Sequence, residues 1–388
     1  MRFTKIMTAR RLNTVKEYYF SEKLREVASM VSAGNTVINI GIGSPDLPPH
    51  PKVVAALKES FDHPKVHQYQ SYQGLPELRQ AIADFYQKHY QYTANPVSEI
   101  LPLMGSKEGI MHISMAFLNP GDKALIPNPG YPSYQSVTRL VEAEPVFYDL
   151  NAQNQWQPNF DALDRMDLSD VKLMWVNYPH MPTGANAQKD TLEKLIVWAK
   201  EKDILLVNDN PYSFVLTDHP QSLMSVPGAK DVGMELNSLS KSFNMAGWRV
   251  GMVLGNQKNI NAVLKVKSNM DSGMFYGIQR GAIAALQVQD SWFKKLNNIY
   301  NERRKLIFKL ATLMKTDFDI NSSGLFVWAK MRNTSISSVQ YIEEILQKHH
   351  VFIAPGSIFG SQGEGYIRFS LCVEAEQISK AIKRISKK

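Results

Sequence analysis

At 388 residues, with 44% apolar and 21% charged side chains, the chain is too long for one small core, and a large domain with a smaller companion is expected. Its single cysteine, Cys372, excludes an internal disulfide framework and a clustered cysteine metal site and fits a reducing, cytoplasmic setting, with no metal expected. No apolar run is long enough to span a bilayer, the basic stretch Met1 to Asn13 lacks the apolar segment of a secretory signal, and the net charge of +8 is scattered. Its short concentrations, at Arg10-Arg11, Arg303-Arg304-Lys305 and Lys383 to Lys388, read as solvated helix faces and not as a nucleic-acid surface.

In chain order, residues 14–33 read as an amphipathic helix and Val37–Ile40 as a short strand. Gly41 to Pro49 holds two glycines and three prolines in nine residues, which makes a rigid irregular loop. A helix at Pro51–Phe61 is followed by Tyr69 to Gly74 and by a helix from Pro76 to Tyr90. Strands and helices then alternate, the pattern of a mostly parallel sheet flanked by helices. Gly105-Ser106-Lys107 opens a helix to Leu118, and free N–H groups at such a start favour an anion. The strand Lys123–Pro127 ends at Tyr131, whose flat face can stack on a pyridine ring at the carboxyl edge of the sheet. The strand Val171–Val176 leads into Asn177-Tyr178-Pro179-His180-Met181-Pro182-Thr183-Gly184. A helix at 188–201 and a strand at Ile204–Val207 lead to Asn208-Asp209-Asn210-Pro211-Tyr212. Strands follow at Glu235–Ser238 and Val250–Leu254, then Asp271 to Gly277 and helices at 277–289 and 291–314. The remainder reads as α+β, with strands at Leu325–Lys330, Val351–Ala354 and Tyr366–Leu371 and helices at 335–348 and 374–387.

The most informative stretch runs from Ser238 to Gly251, SLSKSFNMAGWRVG. Lys241 stands among small and apolar residues, so lost hydration disfavours its charged form and frees the amine for Schiff-base chemistry. Ser238, Ser240 and Arg249 can together bind a dianion, two by hydroxyl and one by a planar fork. An aldehyde and a phosphate on one ligand point to pyridoxal 5′-phosphate (PLP). The stretch resembles the lysine motif of the class I and II aminotransferases of PLP fold type I. That resemblance extends from the 41–49 loop to Arg368, and the Lys16–Ser21, Gly41–Pro49 and Asp271–Gly277 segments look like the aspartate and LL-diaminopimelate aminotransferase-like branch.

The resemblance implies a fold of one large α/β domain at 49–275 and a smaller α+β domain at 276–388, completed by an N-terminal arm at 1–48. It implies that Lys241 holds PLP as an aldimine and serves as base and acid in a ping-pong exchange between an L-amino acid and a 2-oxo acid. Gly105, Ser106, Lys107, Ser238, Ser240 and Arg249 are the implied phosphate shell, Asp209 pairs with the pyridine nitrogen, and Tyr212 reaches the phenolic oxygen. Gly43 and Arg368 are implied for the substrate carboxylate, with Tyr131 over the ring. Tyr69 is implied to cross a homodimer interface to the partner's cofactor, with Tyr72 near the same neighbouring substrate. The chain departs from the usual Asn-Pro-Thr-Gly by carrying Met181 at the asparagine, and a thioether is at best a weak acceptor. Asn177 and His180 stand as neighbours that could supply the missing donor. Aspartate, methionine, alanine, aromatic residues and LL-diaminopimelate all remain open as donors. C–S β-elimination on the same cofactor is the alternative reaction. A non-catalytic sensor of this fold joined to a DNA-binding domain is more remote, for no segment of helix-turn-helix size precedes residue 14.

Overall fold

A computed structural model describes residues 7–188 and 190–387; the ends of the expected basic segments, residues 1–6 and Lys388, and position 189 of the helix expected from 188 lie outside the described residues. The larger sheet has seven strands in the order 100–103, 251–255, 233–238, 205–209, 171–176, 123–128, 144–149. All neighbours are parallel except at Gly251–Gly255, which is antiparallel to both of its neighbours. The reversal follows from a short return: the chain leaves Ser238, turns through the Lys241 segment and comes straight back, with Leu239 N–H donating to the Val250 carbonyl at 3.1 Å.

Helices cover both faces because the strands are apolar on both. Along Val171–Val176, Leu173 and Trp175 pack with Ile110 and Ile113 of the helix Ser106–Phe117, whereas Met174 and Val176 pack with Leu195 and Ile196 of the helix Thr191–Lys202. The period of two thus divides one strand between two cores.

A second, antiparallel sheet runs in the order 354–355, 366–370, 326–331, 316–318. Ile38–Asn39 pairs in parallel with Val351–Phe352, which joins the start of the chain to its last third. The helices Tyr19–Ser32, Asp290–Leu313 and Ala375–Ser386 share the core of this part through Phe20, Val27, Leu310 and Ile378.

Several boundaries differ from the sequence reading. The helix expected from residue 14 begins at Tyr19, and Arg10–Thr14 forms a separate 3-10 turn. Tyr18 is extended at φ −64°, ψ 122°, which lets its side chain enter the cavity described below instead of joining a helix face. The expected strand Val351–Ala354 is two short ones, Val351–Phe352 in one sheet and Ala354–Pro355 in the other. The edge strand Glu144–Asp149 had no individual signal, being half-exposed and carrying Pro145, a residue tolerated at sheet edges.

Candidate active site

A cavity of about 570 Å³ opens where the parallel strands end and is closed on its far side by the 41–44 loop, Phe326 and Arg368. Lys241 lies three residues beyond the end of the strand Gly233–Ser238. Its Nζ donates to the Gly43 carbonyl at 2.7 Å. Burial, joined by the nearby Arg368 and Arg249 guanidiniums, pulls the amine below its ordinary pKa. The structure therefore brings the lysine and the glycine loop together, although Gly43 meets it through C=O, not N–H. A Cβ at Gly43 would run into the Phe326 ring, so only glycine fits there.

Asp209 closes the strand Leu205–Asp209 and is buried. Burial pushes its carboxyl up to about 7, opposed by the hydroxyl of Tyr134, which donates to Oδ2 at 2.9 Å. Oδ1 is buried without any protein partner among the described residues. An acceptor left open in this way suits a donor arriving with a ligand, such as a protonated ring nitrogen. Tyr131 stands edge-on to Tyr134 at 5.6 Å and lines the cavity with Tyr212.

Ser106 is the first residue of a twelve-residue helix, and Ser238, Ser240 and Arg249 line the same cavity, with Arg249 against the Gly105 turn. Gly105 has φ +94°, and a Cβ there would collide with the Arg249 guanidinium. Arg249 has a left-handed backbone at φ +56°, and its Nη1 donates to the Ala246 carbonyl at 2.9 Å. Lys107 lies 4.5 Å over the Tyr18 ring, its pKa drawn down by burial and by Arg249. A glycine that only fits bare, a helix start, two hydroxyls and two cations form a cradle whose donor set fits a phosphate dianion.

Arg368 sits in the period-two strand Tyr366–Ser370, where residue-level expectation is solvent, yet it is only 4% exposed. Its guanidinium stacks 3.9 Å from the Phe326 ring centre and 4.6 Å from that of Phe359, and Nη2 donates to the Gly41 carbonyl at 2.8 Å. Burial pulls it down to about 10. No carboxylate pairs with it among the described residues, and Nε is buried without a partner. A buried cation held open this way is suited to an incoming carboxylate.

The Asn177 loop resolves differently from expectation. Asn177 lines the cavity, but its Oδ1 accepts from Met181 N–H at 2.7 Å and its Nδ2 donates to the Asp209 carbonyl, so its amide is occupied by backbone. His180 is not at the cavity: its Nδ1 is tied to Thr183 Oγ1 at 2.8 Å within the same turn, where the ring is buried. His180 thus does not line the cavity, and its Nε2 is buried without a protein partner among the described residues. The Met181 thioether faces the cavity and lies 3.4 Å from Arg368 Nη1.

Tyr69 and Tyr72 are 90% and 45% exposed and do not line this chain's cavity. The sequence reading missed Tyr134 and the wall made by Tyr18, Phe20, Leu24 and Ile42. Tyr134 carried one local hint, its position one helical turn after Tyr131. Away from the cavity, ligand atoms of Glu108, His112 and Asp271 lie within 4.8 Å of one another, but the Lys267 ammonium, 2.9 Å from Asp271, already brings a cation there.

A mostly parallel α/β sheet delivering a desolvated lysine, a buried acid and an anion cradle to one cavity defines a cofactor-dependent enzyme of carbonyl–amine chemistry. Residues 35–385 match the family "Aminotransferase class I and II". An LL-diaminopimelate aminotransferase of Dehalococcoides mccartyi is 40% identical over 380 residues, covering 97% of this chain and 98% of its own. The apo structure of BacF from Bacillus subtilis superimposes with a TM-score of 0.94 at 37% identity, covering 98% of each chain. An aspartate aminotransferase of Thermus thermophilus, 24% identical, shares the fold with a TM-score of 0.91 over 98% of this chain and 99% of its own. The chain belongs to the class I and II aminotransferases. It is a PLP-dependent aminotransferase, a transferase of nitrogenous groups acting on amino acids and 2-oxo acids, and its fold is PLP fold type I.

Proposed function

We propose that the cavity residues named above hold PLP and an amino acid in the arrangement that aminotransfer requires. When bound, PLP supplies an aldehyde that condenses with amines and a ring that takes up carbanion charge. Ser106, Ser238, Ser240, Lys107 and Arg249, with the Gly105 turn, would hold its phosphate. Asp209 would accept a hydrogen bond from the protonated ring nitrogen through its open Oδ1, while Tyr134 holds Oδ2. Tyr212 would donate to the phenolic oxygen, and Tyr131 would cover one ring face. Met181 donates nothing to that edge, and the Asn177 amide is already engaged, so the phenolic oxygen has one donor fewer than the usual motif supplies.

Arg368 grips the substrate α-carboxylate with its planar fork, which orients Cα toward Lys241. Lys241, with its pKa lowered by burial, would remove the proton from the substrate Cα and, once protonated, would serve as the acid that completes the 1,3-proton shift. The donor leaves as a 2-oxo acid before the acceptor enters, and the same residues serve both half-reactions. The observation that carries this reading is a buried, unpaired arginine across one cavity from a buried lysine.

The relatives named LL-diaminopimelate aminotransferase make LL-diaminopimelate the first donor to test. A second reading has its own support. The wall left over from the cofactor roles, Tyr18, Phe20, Leu24 and Ile42, has no carboxylate to receive a distal ammonium, which favours an apolar or aromatic donor. We also propose an arm at 1–48, a large domain at 49–275 and a small one at 276–388, supported by the two sheets lying within 100–255 and 316–370. The working form in this reading is a cytoplasmic homodimer, with the exposed Tyr69 reaching the partner's cofactor phosphate and Tyr72 beside it.

A panel of amino donors against 2-oxoglutarate decides between the two donor classes. Lys241→Ala should abolish turnover while retaining cofactor binding, and borohydride reduction of the wild type followed by peptide mapping should find PLP on Lys241. Full activity in Lys241→Ala refutes the assignment. Pyruvate and ammonia released without an acceptor would instead indicate β-elimination.

A further inference from the structure

Behind the cavity lies a second polar cluster, closed to solvent, that none of these roles uses. The strands Leu205–Asp209 and Gly233–Ser238 run in parallel with Asn208 opposite Glu235 and Asp209 opposite Leu236. Alternation puts Asp209 and Ser238 on the cavity side and Asn208, Glu235 and Asn237 on the back.

Glu235 is fully buried and receives five hydrogen bonds. They come from Tyr86 Oη at 2.8 Å, Ser222 Oγ at 2.8 Å, Leu223 N–H at 2.7 Å, Asn208 Nδ2 at 3.2 Å and Asn210 Nδ2 at 3.3 Å. Every partner is a donor, which matches an acceptor-only carboxylate. No lysine or arginine pairs with it among the described residues. A lone buried carboxylate is an expensive way to fill a core, since apolar side chains of similar size commonly do so at equal or better stability. Its connections suggest what offsets that cost. Two of its donors, Asn208 and Asn210, flank Asp209 in the chain. Asn208 Oδ1 also accepts from Tyr178 N–H at 3.2 Å, at the root of the Asn177 loop. Asn237 donates to Tyr86 Oη at 3.1 Å and accepts from the Ser238 N–H at 2.7 Å, so the phosphate-side strand end is braced by the same cluster.

Asp209 itself has one side-chain hydrogen bond, from Tyr134, so its position depends on how firmly its backbone is held. Sites of this kind work within about 0.5 Å of the productive geometry. We propose that Glu235 is a positioning residue for aminotransfer, clamping Asn208 and Asn210 so that the Asp209 carboxylate stays fixed against the cofactor ring. The proposal rests on the assignment of Asp209 given above.

The test uses the full-length protein and compares Glu235→Gln, Asn208→Ala and Ser222→Ala. Glu235→Gln keeps the volume but turns an amide donor toward a ring of donors. Asn208→Ala cuts one link from Glu235 to the Asp209 peptide. Ser222→Ala removes one donor to Glu235 but leaves its bonds to Asn208 and Asn210, and it leaves the loop's own tie to Asn210, from Nδ2 to the Gln221 carbonyl, which is made by the backbone. PLP affinity by absorbance titration of the cofactor-free protein, kcat, KM and Tm are measured for each. Glu235→Gln and Asn208→Ala should weaken PLP binding and lower kcat by about 10–100-fold with KM little changed, as the loss of supporting contacts does at other preorganised sites. Ser222→Ala should lower only Tm. The proposal is overturned if Glu235→Gln behaves like Ser222→Ala, with PLP affinity and kcat intact. If Glu235→Gln does not fold, Asn208→Ala decides by the same criteria. Asp209→Asn, run alongside, separates the two levels: full PLP affinity and turnover there sinks the Asp209 assignment and the proposal with it, whereas loss there beside a silent Asn208→Ala and Glu235→Gln overturns the positioning role alone.

Discussion

Replacing Arg368 with methionine should leave stability nearly unchanged and remove most of the catalytic efficiency. A pKa of about 10 against the ordinary 12.5, set mainly by burial, means that the site disfavours the cation by on the order of 3 kcal/mol. Against this stand a charge-assisted hydrogen bond to Gly41, about 1.5–3 kcal/mol, and stacking on Phe326 and Phe359, about 0.5–2 kcal/mol. These contributions nearly cancel, and a methionine, though two atoms shorter, packs its apolar chain beside the same rings, so urea unfolding of Arg368→Met should differ from wild type by no more than about 1–2 kcal/mol. The substrate carboxylate, in contrast, loses a desolvated bidentate partner, about 3–4 kcal/mol, or roughly 10²–10³-fold in kcat/KM. Arg368→Lys should recover little of this, because a point charge lacks the planar fork. The reasoning fails if kcat/KM stays within about threefold of wild type. It also fails if the variant loses more than about 4 kcal/mol of stability, since the arginine would then be a structural element first.

Asp209 predicts a pH dependence of the cofactor-free protein. Its folded pKa, about 7, lies above the ordinary 3.8, so the stability linked to it is fully present below about pH 4 and is lost as pH rises to about 7. The loss is at most on the order of 4 kcal/mol, and Tm measured across that window should flatten in Asp209→Asn. Gly105→Ala should weaken PLP binding, because the methyl group meets the Arg249 guanidinium and the backbone is held at φ +94°; titration of the cofactor-free protein reads this out, with a stability loss of about 1–3 kcal/mol. Tyr134→Phe should lower kcat by about tenfold and raise the acidic limb of the rate profile, since one hydrogen bond that favours ionised Asp209 is removed.

Much of the architecture was legible from the chain because its signals are local. The helix Pro76–Tyr90 and the strand Val171–Val176 fall where the sequence puts them, one opened by its proline and the other an unbroken apolar run. The chemistry at the strand ends was equally readable: Asp209 closes a buried strand, Tyr131 and Lys241 each come three residues after one, Arg249 comes two residues before one, and all four line one cavity. Boundaries slipped where local and tertiary preferences conflict, as at residues 14–18, where the pull of Tyr18 into the cavity overrides helical periodicity.

Residue type and short-range spacing suffice to say which reactive groups exist and which strand ends present them. Only tertiary packing decided what each group faces. Lys241 meets the Gly43 carbonyl 198 positions away, and Arg368 meets Gly41 327 positions away. Periodicity along one element carries no record of such partners. The same holds for His180, which the sequence sets beside Met181 and the fold turns into its own loop. It holds for Glu235 as well, an ordinary strand residue until the fold surrounds it with five donors from the helix Pro76–Tyr90, a neighbouring strand end and a distant loop. Desolvation depends on every neighbour at once, and it is desolvation that lowers the lysine, raises the aspartate and leaves the arginine waiting for a carboxylate.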